Sequence, residues 1–180
     1  MAEPASFIEF NHALEQLVGK ECWSVVAGEG TGSMVSLDFG RKQRRKTAVR
    51  NRHLTRTQRE FEGEFDLFIQ GCAWRLEEPR KVICSSMSDN ANDGPMVAGL
   101  ERLDEQKVLR VVIDYPGYDL ALTFEGAEGE LTLRLFCDQA DREGEADNYS
   151  FFSPKMAWAV GPGSVLRKAA RRAPPPRPSG

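Results

Sequence analysis

Residues 14–39, LEQLVGKECWSVVAGEGTGSMVSLDF, return in altered form at residues 100–124, LERLDEQKVLRVVIDYPGYDLALTF. At an offset of 86, Leu14, Glu15, Leu17, Val25 and Val26 fall on Leu100, Glu101, Leu103, Val111 and Val112. One residue is lost in the intervening turn, after which Leu37 and Phe39 fall on Leu122 and Phe124. At an offset of 75, Trp74, Leu76 and Pro79 fall on Tyr149, Phe151 and Pro154. A unit written twice must build the same local structure twice. The reading is therefore an α+β fold with an internal duplication of a helix plus about four antiparallel strands. The copies are expected to join in one twisted or curved antiparallel sheet of roughly eight strands, with two helices on one face.

Around this repeat the local signals are consistent. Phe7, Phe10, Leu14, Leu17 and Val18 recur at helical spacing, with Ser6 and Glu9 placed to form a capping box and Gly19 to stop the helix. Cys22–Ala27 and Met34–Phe39 read as a hairpin, with Val35, Leu37 and Phe39 alternating with Ser36 and Asp38. A strand from Phe65 to Leu76 and another from Lys81 to Met87 follow. Asp93 or Gly94 caps the second helix, with Pro95 in its first turn. Strands are then expected over 108–113, 119–124, 131–137, 149–152 and near 158–160. A single globular domain over residues 5–163 results, as pseudo-repeats 6–90 and 93–163.

The charge is unevenly spread. Residues 41–59 hold nine Arg or Lys and no acid, and Arg167–Arg177 holds five more. The remainder carries ten basic residues against 27 acidic ones. An acidic body is thus expected to bear a mobile basic loop at 41–59 and a disordered, basic, proline-rich tail at 164–180. Four scattered cysteines without a CxxC pair behave as small buried hydrophobes. With no signal peptide and no apolar span, a reducing cytoplasm is the expected home, with no membrane contact.

Reactive constellations are weak. The glycine-rich GEGTGS (28–33) lies between two strands rather than before a helix, which is a turn and not a phosphate cradle. The loop Asp138, Asp141, Glu143, Glu145, Asp147 spaces oxygens like an EF-hand start. It has Ala146 at the glycine position and Phe152 at the bidentate glutamate position, so no metal is assigned. His12 and His53 have no evident Ser or Cys partner. No catalytic residue and no cofactor are assigned, and an enzyme of unidentified reaction stays as an alternative.

The strings FEGEFDLFIQGCAWRL (61–76), SSMSDNANDGPMVAGLERL (85–103) and LRLFCDQADREGEADNYSFFSP (133–154) resemble a group of small bacterial proteins of unknown function. The match covers roughly residues 5–163. Such proteins look like immunity proteins that bind and block a toxin. That resemblance implies a non-enzymatic, protein-binding inhibitor and carries over no catalytic residue. An acidic surface suits a basic toxin partner, and the expected contacts are Asp138, Asp141, Glu143, Glu145, Asp147 and Tyr149. The alternative is a nucleic-acid-associated protein using Arg41, Lys42, Arg44, Arg45, Lys46, Arg50 and Arg52, helped by the tail.

Overall fold

A computed structural model of the protein describes residues 3–139 and 146–171. Helix α1 (Ala5–Glu15) buries Phe7, Phe10, Ala13 and Leu14, and Leu17 follows them into the core. The helix starts after Pro4 with no side-chain cap, so Ser6 lies within its first turn and the expected capping box does not form. Val18 ends up exposed. Strands β1 (Glu21–Val26) and β2 (Val35–Arg44) come next, followed by a short helix α2 (Arg56–Glu60) and strand β3 (Phe61–Ile69). The hairpin β4 (Ala73–Glu78) and β5 (Lys81–Ser85) leads to helix α3 (Pro95–Leu100), which Gly94 caps and Pro95 opens. The chain continues as β6 (Gln106–Ile113), β7 (Leu120–Phe124), β8 (Leu131–Phe136), β9 (Tyr149–Phe152), β10 (Met156–Gly161) and β11 (Val165–Ala170).

All eleven strands form one antiparallel sheet in the order β11-β10-β9-β3-β2-β1-β6-β7-β8-β4-β5. This corrects the expected fold class. The described residues form a large antiparallel sheet with three short α-helices, not two units of a helix plus four strands with a helix pair on one face. The self-contained halves fail at a specific place. The expected strand from Phe65 to Leu76 breaks after Ile69, where Gln70 N–H donates to Asn148 O (3.0 Å) and Gly71 N–H to Asp147 O (2.9 Å). The chain then crosses the molecule, and β4 pairs with β8 (Trp74 opposite Leu135) while β9 pairs with β3 (Leu67 opposite Phe151). Outward from the β1–β6 seam, one wing therefore holds β1–β3 and then the three-stranded meander β9–β11, and the other holds β6–β8 and then the hairpin β4–β5.

Two further expectations are corrected. Residues 41–59 are not one mobile loop: 41–44 continue β2, and 56–60 are α2. The tail is not irregular from 164 onward, because Val165–Ala170 pair with β10 over six residues as the edge strand β11. Residues 172–180 lie outside the described residues. Both stretches hide their structure behind charge, since an edge strand needs few apolar residues and natural edges are often charged.

One apolar cluster runs through the whole sheet, from Phe7 and Phe10 through Leu37, Leu67 and Trp74 to Leu122, Leu133 and Val160. Strand alternation supplies it, as in β8, where Leu131, Leu133 and Leu135 are buried and Thr132 and Arg134 are not. The seam carries only two register pairs, Glu21 opposite Lys107 and Cys22 opposite Gln106. The stacked rings of Phe39 and Phe124, 6.3 Å apart, pack the two wings together beside it.

Candidate nucleic-acid interface

Strand β2 outruns β1. The β1 register ends at Cys22 opposite Phe39, whereas β2 continues to Arg44 with β3 alone beside it: Lys42 opposite Gly63, Gln43 opposite Glu62, Arg44 opposite Phe61. The result is a two-stranded ribbon that overhangs the sheet near the seam. Its base is a bulge between Phe39 and Lys42. Gly40 has φ +74°, and a Cβ there would stand 2.7 Å from Glu64 Oε2, so no other residue fits this bend without displacing its neighbour. Gly63 closes the base by donating its N–H to Asp38 Oδ1 (2.8 Å).

Residues 45–60 return over the ribbon. Arg45 N–H donates to Glu60 O (2.8 Å) and Val49 N–H to Arg59 O (2.9 Å). Thr55 and Gln58 form a capping box on α2, and Gln58 Nε2 reaches Ser24 Oγ (3.4 Å) on β1. Helix α2 is thus a strap held by polar contacts, and it buries no residue.

Three of the basic residues here are paired: Arg41 with Glu64 (3.6 Å), Arg45 with Glu62 (3.1 Å) and Arg56 with Glu60 (2.8 Å). Arg45 also donates to Phe61 O (3.0 Å), so its role is to hold the ribbon. Lys42, Arg44, Lys46, Arg50 and Arg52 are exposed and, among the described residues, have no carboxylate within ion-pair distance. Lys42 Nζ lies 5.1 Å above the ring of Trp23, which is itself buried. From beyond β11, Arg171 donates to Glu64 O (3.0 Å), Ser153 O (3.2 Å) and Gly63 O (3.4 Å). The second basic stretch of the sequence therefore reaches the ribbon's base, and Arg172 and Arg177 follow in the chain.

The acidic-loop residues are placed differently. Asp138 is exposed, Asp147 is taken by Arg167, and Tyr149 is fully buried with its hydroxyl donating to Tyr118 O (2.9 Å). Tyr149 is therefore a core residue with no surface to offer a partner. Asp141, Glu143 and Glu145 lie outside the described residues.

Other chemistry is sparse. His12 and His53 are both exposed. All four cysteines are free thiols, and burial pushes Cys84 up to about 11, far from a reactive thiolate at neutral pH. A cleft of about 500 Å³ beside β4, β5 and β8 is lined by Glu77, Arg80, Lys81, Val82, Glu130 and Arg134, but Glu77 is engaged by both Arg75 and Arg134. Among the described residues no three His, Cys, Asp or Glu side chains gather as metal ligands, and no helix is long and apolar enough to cross a membrane.

Beneath the strap lies a pair that sequence reasoning passed over. Asp38 of β2 and Asp66 of β3 are directly opposite in register, with Ser24 opposite Asp38 on the other side. Burial raises the pKa of Asp38, and burial followed by the Asp38 charge lifts Asp66 to about 7. A strand aspartate is disfavoured, which was a signal in the sequence, but their opposition depends on a register that the sequence does not print. Comparison with family models, curated proteins and solved structures finds no match.

Proposed function

We propose that this protein is a non-enzymatic, nucleic-acid-associated binding module whose basic ribbon lies along a phosphate backbone. The observation that carries this reading is the overhanging ribbon itself. The ribbon presents Lys42 and Arg44, and the chain returning over it adds Lys46, Arg50 and Arg52. All are exposed and, among the described residues, without a carboxylate at ion-pair distance, and Arg171 brings the second basic stretch to the ribbon's base. Phosphate contact needs charge and reach and no base-reading group. The one indole nearby, Trp23, is buried under Lys42 and unable to stack on a base. Binding is therefore expected to be tolerant of sequence and steep in salt. The acidic remainder of the chain supports the reading by orienting a polyanion toward the ribbon and away from other faces. A reducing compartment such as the cytoplasm suits the four free thiols.

The test is a salt titration of duplex DNA and RNA binding. Replacing Lys42, Arg44, Lys46 and Arg50 by Ala, with Arg45 kept for its structural contacts, should flatten the log–log salt slope by about 3–4 and weaken binding about 100-fold or more at low salt. An intact protein that shifts neither duplex at about 20 mM salt would end this reading. The immunity-type reading rests on the acidic remainder of the chain and on Asp138 as its exposed described contact. It would take over if a basic protein were captured and Asp138→Asn slowed that association.

A further inference from the structure

Asp38 and Asp66 face each other on adjacent strands, where opposed Cβ atoms stand about 4.5–5.5 Å apart. Asp38 is 6% exposed and accepts the Gly63 N–H. Asp66 Oδ1 is buried and, among the described residues, accepts no hydrogen bond. Ser24 stands opposite Asp38 on β1, and Gln58 of α2 reaches that serine. Glu62 and Arg45 form their own ion pair, Phe152 of β9 is opposite Asp66, and Arg171 comes from beyond β11. Arg45 and Arg171 favour ionisation of Asp66, while Asp38 and Glu62 oppose it. Two like charges in this geometry repel, and one carboxyl escapes by keeping its proton.

We propose that Asp38 and Asp66 form a single proton-binding pair that controls presentation of the basic ribbon. With Asp66 protonated, the Asp38 carboxylate is free to hold Gly63 N–H and the ribbon's base is closed. When Asp66 gives its proton to water, two carboxylates confront each other, Asp38 swings away from Gly63, and the base opens. This rests on the reading of the ribbon as the nucleic-acid contact, since the added negative charge and the loosened base both weaken the grip on phosphate.

The sign follows from linkage. The folded chain keeps the Asp66 proton to about 7, against an ordinary value of 3.8. The Asp66 proton therefore contributes stability to the folded chain that is fully present below about pH 4 and is lost as pH rises through about 7.

The experiment uses the full chain. The Asp66 carboxyl carbon, followed by NMR, should titrate near pH 7, and a midpoint below about 5 overturns the proposal. Protection of the Gly63 amide, corrected for intrinsic exchange, should fall about tenfold from pH 6 to pH 8. Asp66→Asn, a neutral isostere of the protonated acid, should hold that protection flat. A variant that follows the wild-type profile overturns the proposal. Affinity for a duplex of about 20 base pairs at about 50 mM salt should weaken about tenfold over the same range in the wild type and stay level in Asp66→Asn. Binding that is independent of pH rejects the switch and leaves the ribbon's function standing. Titration and Gly63 release without duplex binding at any pH reject the function and leave the proton pair standing. Should Asp66→Asn fail to fold, the two wild-type NMR profiles decide.

Discussion

Phe10 sits where four rings meet, with Tyr118, Tyr149, Phe151 and Trp158 at 5.2–6.4 Å between centroids. It ties α1 to β9, β10 and the turn before β7, and it has no exposure at all. Phe10→Ala should cost about 3–5 kcal/mol by urea unfolding, because rings from several elements cannot all close into the space left behind. Helical spacing made Phe7, Phe10, Leu14 and Leu17 legible as core residues. Tyr149 was harder, because a tyrosine after an acidic loop reads equally as a contact or as an inward strand residue. Only the position of Tyr118 O, which receives its hydroxyl, settles the question. Asp38 alternates with Leu37 and Phe39 as an ordinary outward position would, and the chain covering it comes from twenty residues further on.

At the scale of elements, the strap is the part that sequence patterning could least reveal. Helix α2 buries no side chain, and the β2 strand of the ribbon, Arg41–Arg44, is exposed, so neither leaves an apolar period. The same applies to β11, with Arg167, Lys168, Ala169 and Ala170 all exposed along it. What holds α2 is local: Thr55 accepts the Gln58 N–H (3.2 Å) while the Gln58 side chain accepts the Thr55 N–H (3.0 Å). Thr55→Ala should destabilise this turn by about 1 kcal/mol. Amide exchange over residues 56–60 should quicken several-fold while the melting temperature hardly moves, since no core contact is lost. A large fall in melting temperature would show that the strap carries more of the fold than its contacts indicate.

For the molecule as a whole, the alternation within single strands is legible in the sequence, while the crossing of β4–β5 and β9–β11 between the wings is not. Alternation reports which face a strand buries, and it is silent on which neighbour it takes. Both β3–β9 and β4–β8 pair segments far apart in sequence, with Leu67 opposite Phe151 and Leu76 opposite Leu133. Residues 1–91 and 92–180 made separately should each fail to give a dispersed NMR spectrum, because β4–β5 lacks β8 in the first and β9–β11 lacks β3 in the second. Mixed or co-expressed, they should assemble into a one-to-one complex with the spectrum of the intact chain. A folded 1–91 fragment would contradict the interlocked topology.

The crossing of β4–β5 and β9–β11 between the wings also bears on how this chain is made. While a ribosome is still adding residues short of β9, strand β3 has emerged with its open side unsatisfied, and β4–β5 has nothing to dock on until β8 leaves the exit tunnel. Nascent copies crowded on one message thus pass through a window in which sticky strand borders are bare. Slowing elongation late in the reading frame should lengthen that window and raise the demand for chaperones, whereas an early pause should leave yield untouched.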